Sequence, residues 1–167
     1  MDSEQLKNLL GSLQTGKIGI DQALEKLKGF PYDDLGFAKI DTHRALRRGF
    51  PEAIFCEGKT PEQVTKIVLK MSKNNEIILA MRAQKNTFTA VKKVTDKAKY
   101  YESAKAIVIG KIPKIKNKNK ILIISAGTAD MPVAEEAALT AQCMGNAIDR
   151  LYDAGVAGVH RLLQNRE

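Results

Sequence analysis

The sequence predicts an α/β protein: an N-terminal helical hairpin and a small mixed sheet, then the start of a doubly wound parallel (flavodoxin-like) sheet. Three observations predict it. Leu6, Leu9, Leu10 and Leu13, then Ile20, Ala23, Leu24 and Leu27, recur at helical spacing. Short apolar stretches and helix starts alternate between residues 37 and 109. From Ile121 a β-branched apolar run passes through a small polar turn into an alanine-rich helix, and residues 147–152 continue in βαβ order.

The elements follow in order. The first helix closes near Gly16; the second starts near Asp21, carries Lys26 and Lys28 where the helix dipole favours cations, and ends at Gly29. A hairpin of this size packs on a partner surface. Residues 30–34 form a loop, and 37–43 and 52–56 read as short strands bridged by an Arg-rich turn over 44–51. Thr60-Pro61-Glu62-Gln63 is a helix start, with Thr as cap, Pro in the first turn and Gln reaching back. Val64, Ile67, Val68 and Met71 form its buried stripe. Residues 76–81 read as an apolar strand, 88–94 as a short helix or irregular segment, and 98–109 as a strand interrupted at 102–105. In the alanine-rich helix, Asp130 is the expected N-cap and Pro132 falls in the first turn. Val133, Ala134, Ala137, Ala138, Ala141 and Met144 make the stripe, and Gly145 the stop. The chain therefore divides into a helical hairpin (1–30), a small α/β domain (31–110), a lysine-rich linker (111–120) and the beginning of a parallel α/β domain (121–167).

Composition narrows the function classes. With 167 residues, 44% hydrophobic and 28% charged, the chain buries a core beneath a polar surface. There is no apolar run near 18 residues, so no membrane span is expected. The first five residues are acidic rather than basic, which argues against a signal peptide. Cys56 and Cys143 are far apart and without a partner motif, which fits a reducing cytoplasm. The net charge of +8 is concentrated at Lys105, Lys111, Lys114, Lys116, Lys118 and Lys120. That run reads as an electrostatic funnel for a polyanion or as a solvated linker, and its Asn and Pro residues favour the linker. Aromatics are 5% of the chain and none interleave with the lysines, so nucleic acid is not the expected partner.

Four groups of residues are candidates for chemistry. Ser125, Gly127 and Thr128 bring small side chains, backbone N–H groups and hydroxyls to a helix start, an arrangement suited to phosphate or carboxylate. His160 and Arg161 follow Gly155-Val-Ala-Gly158, a turn that permits close backbone approach. Doubly wound topology brings these two loops to one sheet edge. Gly58-Lys59-Thr60 lacks the Walker glycine, since Ala53 holds that position and the residues between read as strand; a triphosphate cradle is excluded. One phosphate or carboxylate, or simple capping, remains open for Lys59 and Thr60. His43, Arg44, Arg47 and Arg48 form a basic cluster with planar forks suited to anions, or a solvated surface turn. Glu135 or Glu136 could face a ligand, though ordinary exposure is expected. Both cysteines read as buried and inert, and no metal site is expected from two histidines and two cysteines without ligand spacing.

Taken together, Ser125-Ala-Gly-Thr-Ala-Asp130, Ala134-Glu-Glu-Ala137 and Tyr152-Asp-Ala-Gly-Val-Ala-Gly-Val-His-Arg-Leu162 resemble the aminoimidazole ribonucleotide carboxylase superfamily. With Asp41-Thr-His-Arg44, Arg48-Gly-Phe-Pro-Glu52 and Gly58-Lys-Thr60 upstream, the closer resemblance is to the pyridinium-3,5-biscarboxylic acid mononucleotide synthases of nickel-pincer cofactor synthesis. The resemblance covers most of the chain in order and spacing, and tips Lys59, Thr60 and Arg44 towards ligand binding. It implies carboxylation of the pyridinium ring of nicotinic acid adenine dinucleotide by carbon dioxide or bicarbonate, with phosphoanhydride hydrolysis releasing AMP. It also implies a cytoplasmic homo-oligomer with no tightly bound cofactor, magnesium staying open as an accessory ion. An electron-poor pyridinium attacks carbon dioxide only after a nucleophile has added to the ring. In the family that nucleophile looks like a cysteine of the C-terminal part. Ser125, Gly127, Thr128 and Arg161 would bind, and Asp130 and His160 would orient groups or move protons.

The chain departs from the family by stopping at Glu167, where the family continues with more strands and the reactive cysteine. It is therefore expected to bind substrate without turnover, with apolar edges and the alanine-rich helix uncovered, and to associate, stay partly disordered after about Ile121 or borrow a partner chain. Two alternatives stand beside this: a purine-type aminoimidazole ribonucleotide carboxylase or mutase, and a non-catalytic fragment that only binds ligand. Against the former, this turn is Ser-Ala-Gly-Thr-Ala-Asp and Gly-Val, not Ser-Ala, precedes His160.

Overall fold

The computed structural model describes residues 3–27, 32–50, 52–73, 75–115 and 119–164. Lys28, Gly29, Pro51, Lys116 and Lys118, named above, lie outside the described residues, as do the start of the 30–34 loop and the last three residues.

Helices α1 (Ser3–Gln14) and α2 (Ile20–Leu27) form the expected hairpin. Of the two leucine-rich stripes only Leu9 and Ala23 are buried, while Leu10, Ile20 and Leu24 stay exposed. Strands β1 (Tyr32–Asp34) and β2 (Lys39–Asp41) form an antiparallel pair. The expected strand over 37–43 is thus shorter, and part of the expected loop is strand. The reason is the turn between them: Gly36 has φ +81° and donates its N–H to Asp34 Oδ1, and Leu35 N–H bonds Ala38 O. The Arg-rich bridge contains helix α3 (Arg44–Arg48), closed by left-handed Gly49, and the strand expected at 52–56 contracts to β3 (Ile54–Phe55).

Helix α4 (Pro61–Met71) forms as the sequence dictates: Gln63 N–H donates to Thr60 Oγ1 and Thr60 N–H to Gln63 Oε1. Its buried residues are Val64, Ile67, Val68 and Met71. After β4 (Ile77–Met81) comes α5 (Lys85–Lys92), which settles residues 88–92 of the ambiguous 88–94 stretch as helix and leaves 93–94 as a turn. Thr87, Thr89 and Val91 make its helix propensity weak, and packing overrides it: Val91 is fully buried and Phe88 stacks on Tyr100 at 5.4 Å. The interruption at 102–105 is a hairpin turn between β5 (Ala98–Tyr101) and β6 (Ala106–Gly110).

These strands make one sheet in the order β3-β4-β6-β5, parallel between β3 and β4 and antiparallel elsewhere. One face packs Ile54, Ile78, Ala80, Ile107 and Ile109 against the α4 stripe and Val91. The other packs Leu79, Ala106 and Val108 against Leu139 of α6 (Met131–Cys143). Helix α6 also connects and covers the parallel pair β7 (Lys120–Ile124) and β8 (Ala147–Leu151). Being flanked by two sheets, it needs small residues on more than one face, which is why Ala134, Ala138 and Leu139 are buried while Val133 and Met144 of the expected stripe are exposed. The alanine-rich helix is therefore covered, contrary to expectation. Ile121, Leu122 and Ile124 do expose apolar surface. The chain ends its described part in α7 (Val159–Leu163). Among the described residues no helix is long and apolar enough to cross a membrane.

Candidate functional site

The parallel pair positions one group of candidate residues. Just past β7, Ser125 is held from both sides: its N–H donates to Leu151 O and its carbonyl accepts from Ala154 N–H, both at 3.0 Å. The loop after β8 consequently lies against the loop after β7. Gly155 makes this possible, because a Cβ there would stand 3.0 Å from Ala126 O. Ser125 is 6% exposed, and its hydroxyl makes no hydrogen bond with a described residue. An unsatisfied buried hydroxyl costs about 1–3 kcal/mol, which a ligand oxygen reaching it would offset.

The turn beyond Ser125 is built differently from the expectation. Asp130 does not cap α6 with its side chain; its backbone is already helical. Its carboxylate instead reaches back to Gly127 N–H at 2.9 Å, closing a 3-10 turn over Thr128–Asp130. The 3-10 turn supplies the entry to α6, so the cap is displaced by one turn. Thr128 is exposed on this turn.

Opposite it, Arg161 folds back over buried Gly158, where a Cβ would meet its Nε at 2.7 Å, and pairs with Asp153 at 2.5 Å. His160 is exposed in the first turn of α7. The carboxylates of α6 are engaged. Glu135 accepts from Tyr152 Oη at 2.5 Å and Arg150 Nε at 3.1 Å; Glu136 accepts from Arg82 Nε at 2.8 Å. Burial, then the Glu135 carboxylate, holds the Tyr152 phenol above its ordinary value.

A second feature was not legible in the sequence. Between the four-stranded sheet and the start of α6 lies a cleft of about 500 Å³. Lys59, Arg82 and Lys105 line it, together with Glu136 and with Ala129 of the turn just described. Arg82 and Lys105 have left-handed backbones, φ +52° and +46°, and Ala83 N–H bonds Lys105 O at 2.7 Å between them. Non-glycine residues held at positive φ are uncommon and concentrate where structure over-determines them. That is the one signal that marks them, and no spacing rule reveals it.

The remaining candidates are dispersed. Lys59 donates to Phe55 O at 2.8 Å, and the Thr60 hydroxyl serves the α4 capping box. Arg44 lies in α3 against the Phe50 ring, 5.8 Å from its centroid, with a buried Nε that no described residue accepts from. It lines neither the cleft nor the Ser125 turn. Beside it, Arg47 bridges Asp41 and His43. Burial works to raise the Asp41 pKa, yet the Arg47 guanidinium and the His43 N–H outweigh it and hold the carboxyl below its usual range. Cys56 and Cys143 are both pushed up to about 11 by burial, so neither is a thiolate near neutrality. Among the described residues no three His, Cys, Asp or Glu side chains converge as a metal site.

Residues 32–111, from β1 through β6, match the family described as the LarB/PurE-like N-terminal domain. The chain is also 32% identical over 171 aligned residues to an uncharacterized protein of Methanocaldococcus jannaschii. That alignment covers 95% of this chain, which spans 65% of the relative's length. The family match covers a little under half of the chain and ends before β7, so it bears on β1–β6 and not on the Ser125 turn.

Proposed function

We propose that this chain carries the substrate-binding part of a synthase that carboxylates the pyridinium ring of nicotinic acid adenine dinucleotide and hydrolyses its phosphoanhydride, releasing AMP, at the entry to nickel-pincer cofactor synthesis. The observation that carries this reading is the interlock of the two loops at the carboxyl ends of parallel strands β7 and β8, where ligands of doubly wound sheets bind. The match of residues 32–111 supports the same choice.

In this reading Ser125, Gly127 and Thr128 hold a phosphate of the substrate, and Arg161 receives a carboxylate with a planar fork already oriented by Asp153. Asp130 fixes the phosphate turn through Gly127. Lys59, Thr60 and Arg44 belong to the wider binding surface. Chemically, a nucleophile adds to the ring and turns it into an enamine. The enamine carbon forms a bond to carbon dioxide, a ring proton leaves, and expulsion of the nucleophile restores the aromatic cation. His160, exposed at the loop, is the group to take that proton. The nucleophile is assigned to a cysteine of the family's further C-terminal part, because burial keeps Cys56 and Cys143 protonated. The reading includes no tightly bound cofactor, leaves magnesium as an accessory ion, and places a self-associating protein in the cytoplasm.

Calorimetric titration with nicotinic acid mononucleotide tests the binding roles. Ser125→Ala and Arg161→Ala should each weaken it about tenfold or more, as loss of a hydrogen bond to a charged group does. Affinities equal to wild type would remove the site. Labelled bicarbonate supplied to the protein with nicotinic acid adenine dinucleotide, beside aminoimidazole ribonucleotide, decides the substrate.

A further inference from the structure

The cleft between the four-stranded sheet and α6 is lined mostly by parts of the chain that the Ser125 loops do not use. Three basic side chains, Lys59, Arg82 and Lys105, face two carboxylates, Glu57 and Glu136. Arg82 is matched to Glu136 at 2.8 Å. Lys59 gives one of its three protons to Phe55 O, leaving two donors. Lys105 forms no ion pair with a described residue. The cleft thus holds unmatched positive charge, and it lies in a concave, partly apolar space that strengthens such charge.

The rest of the lining is mixed: Gln84, Asn86 and Thr87 bring amide and hydroxyl groups, Ala83 and Ala104 are buried beneath it, and Pro132 and Val133 stand on the α6 side. At about 500 Å³ the cleft far exceeds a lone phosphate and falls within the ~300–1,000 Å³ typical of small-molecule pockets. Cations beside amide and hydroxyl groups and a small apolar surface match a phosphate joined to a nucleoside, whose ribose and base carry hydrogen-bonding groups and an apolar face. Ala129 belongs both to this wall and to the turn that Asp130 closes on Gly127, so a ligand with two anionic halves can engage both.

We infer that this cleft binds a nucleoside monophosphate group, with Lys105 and Lys59 on the phosphate and the Ala83–Ala104–Pro132 wall against the nucleoside. Which nucleoside it takes rests on the proposed function: the adenylate half of the dinucleotide, the mononucleotide half lying at Ser125 and Arg161. The cleft then makes the protein selective for a dinucleotide over either half, and it receives the AMP that hydrolysis releases.

The whole chain is titrated by calorimetry with AMP, inorganic phosphate and nicotinic acid mononucleotide, each separately. Lys105→Gly removes the cation, and glycine suits its left-handed backbone, so the fold is retained; a melting curve checks this. AMP should bind tighter than phosphate, and Lys105→Gly should weaken AMP tenfold or more while leaving the mononucleotide unchanged. Ser125→Ala should do the reverse. AMP binding no tighter than inorganic phosphate, or AMP binding unaffected by Lys105→Gly in a folded protein, overturns the inference. Intact AMP binding, sensitive to Lys105, in a protein that ignores the mononucleotide sinks the proposed function and leaves the cleft assignment standing.

Discussion

Gly110→Ala, compared with Gly36→Ala, separates backbone strain from steric exclusion. Both glycines are left-handed, φ +99° and +81°. At Gly36 a Cβ meets nothing within 4 Å, so alanine there pays only the left-handed penalty of about 1–2 kcal/mol. At Gly110 the new Cβ would overlap the Glu76 carbonyl oxygen, and would lie 3.1 Å from its carbon and 3.3 Å from Ile77 Cα. Those atoms are backbone, and Gly110 pairs with Ile77 at the end of the β4–β6 ladder while its N–H bonds Lys97 O. Making room therefore breaks about two hydrogen bonds, at roughly 1 kcal/mol each, on top of the strain. The expected loss is about 3–4 kcal/mol for Gly110→Ala against about 1–2 for Gly36→Ala. At roughly 2–4 °C per kcal/mol for a chain of this size, the melting temperatures should fall by about 6–16 °C and 2–8 °C respectively. Urea unfolding of both variants beside wild type gives the difference directly. Equal losses would show that the β4–β6 ladder end is not packed as described.

Two further predictions test the core and the cysteines. Leu139→Ala removes a 2% exposed side chain from the cluster joining α6 to Leu79, Ala106 and Val108, and should cost about 2–5 kcal/mol. Hydrogen exchange should accelerate along α6; a loss below about 1 kcal/mol would mean that α6 is not docked on that sheet. Both thiols, with pKa values near 11, are protonated through the neutral range. Their alkylation at pH 8 should run about a hundredfold slower than that of an ordinary thiol near pKa 8.5–9, and rise about tenfold per pH unit towards 11. Rapid, pH-independent labelling of either would contradict the burial that sets these values.

What the sequence made legible was what short-range rules decide. The capping box at Thr60 and the Val64–Ile67–Val68–Met71 stripe rest on contacts within a few residues, and both formed as read. The βαβ order from Ile121 likewise placed the loops after β7 and β8 side by side, because handedness leaves few alternatives. The failures share a cause as well. Residues 98–109 read as one interrupted strand because periodicity does not reveal that Tyr101 turns back to pair with Ala106. Asp130 reads as a cap because its position fits, whereas a 3-10 turn takes up the helix entry and redirects the carboxylate to Gly127. The α6 stripe was drawn for a helix with one buried face, but this helix meets two sheets.

The cleft shows the same limit on the functional side. Lys59, Arg82 and Lys105 follow β3, β4 and β5, Glu136 lies in α6, and each is separated from the next by more than twenty residues of chain, so no motif contains them. They converge because β3 and β4 run parallel, which places the loops into α4 and α5 at one end of the sheet, while the β5–β6 turn returns to that same end. Docking of α6 through Leu139 then closes the fourth side and brings Glu136 onto Arg82. The chemistry of the cleft is thus a consequence of the helix that also anchors the Ser125 turn. Loosening α6 should therefore disturb both proposed binding regions at once, whereas substitutions at Lys105 or Ser125 should disturb only one.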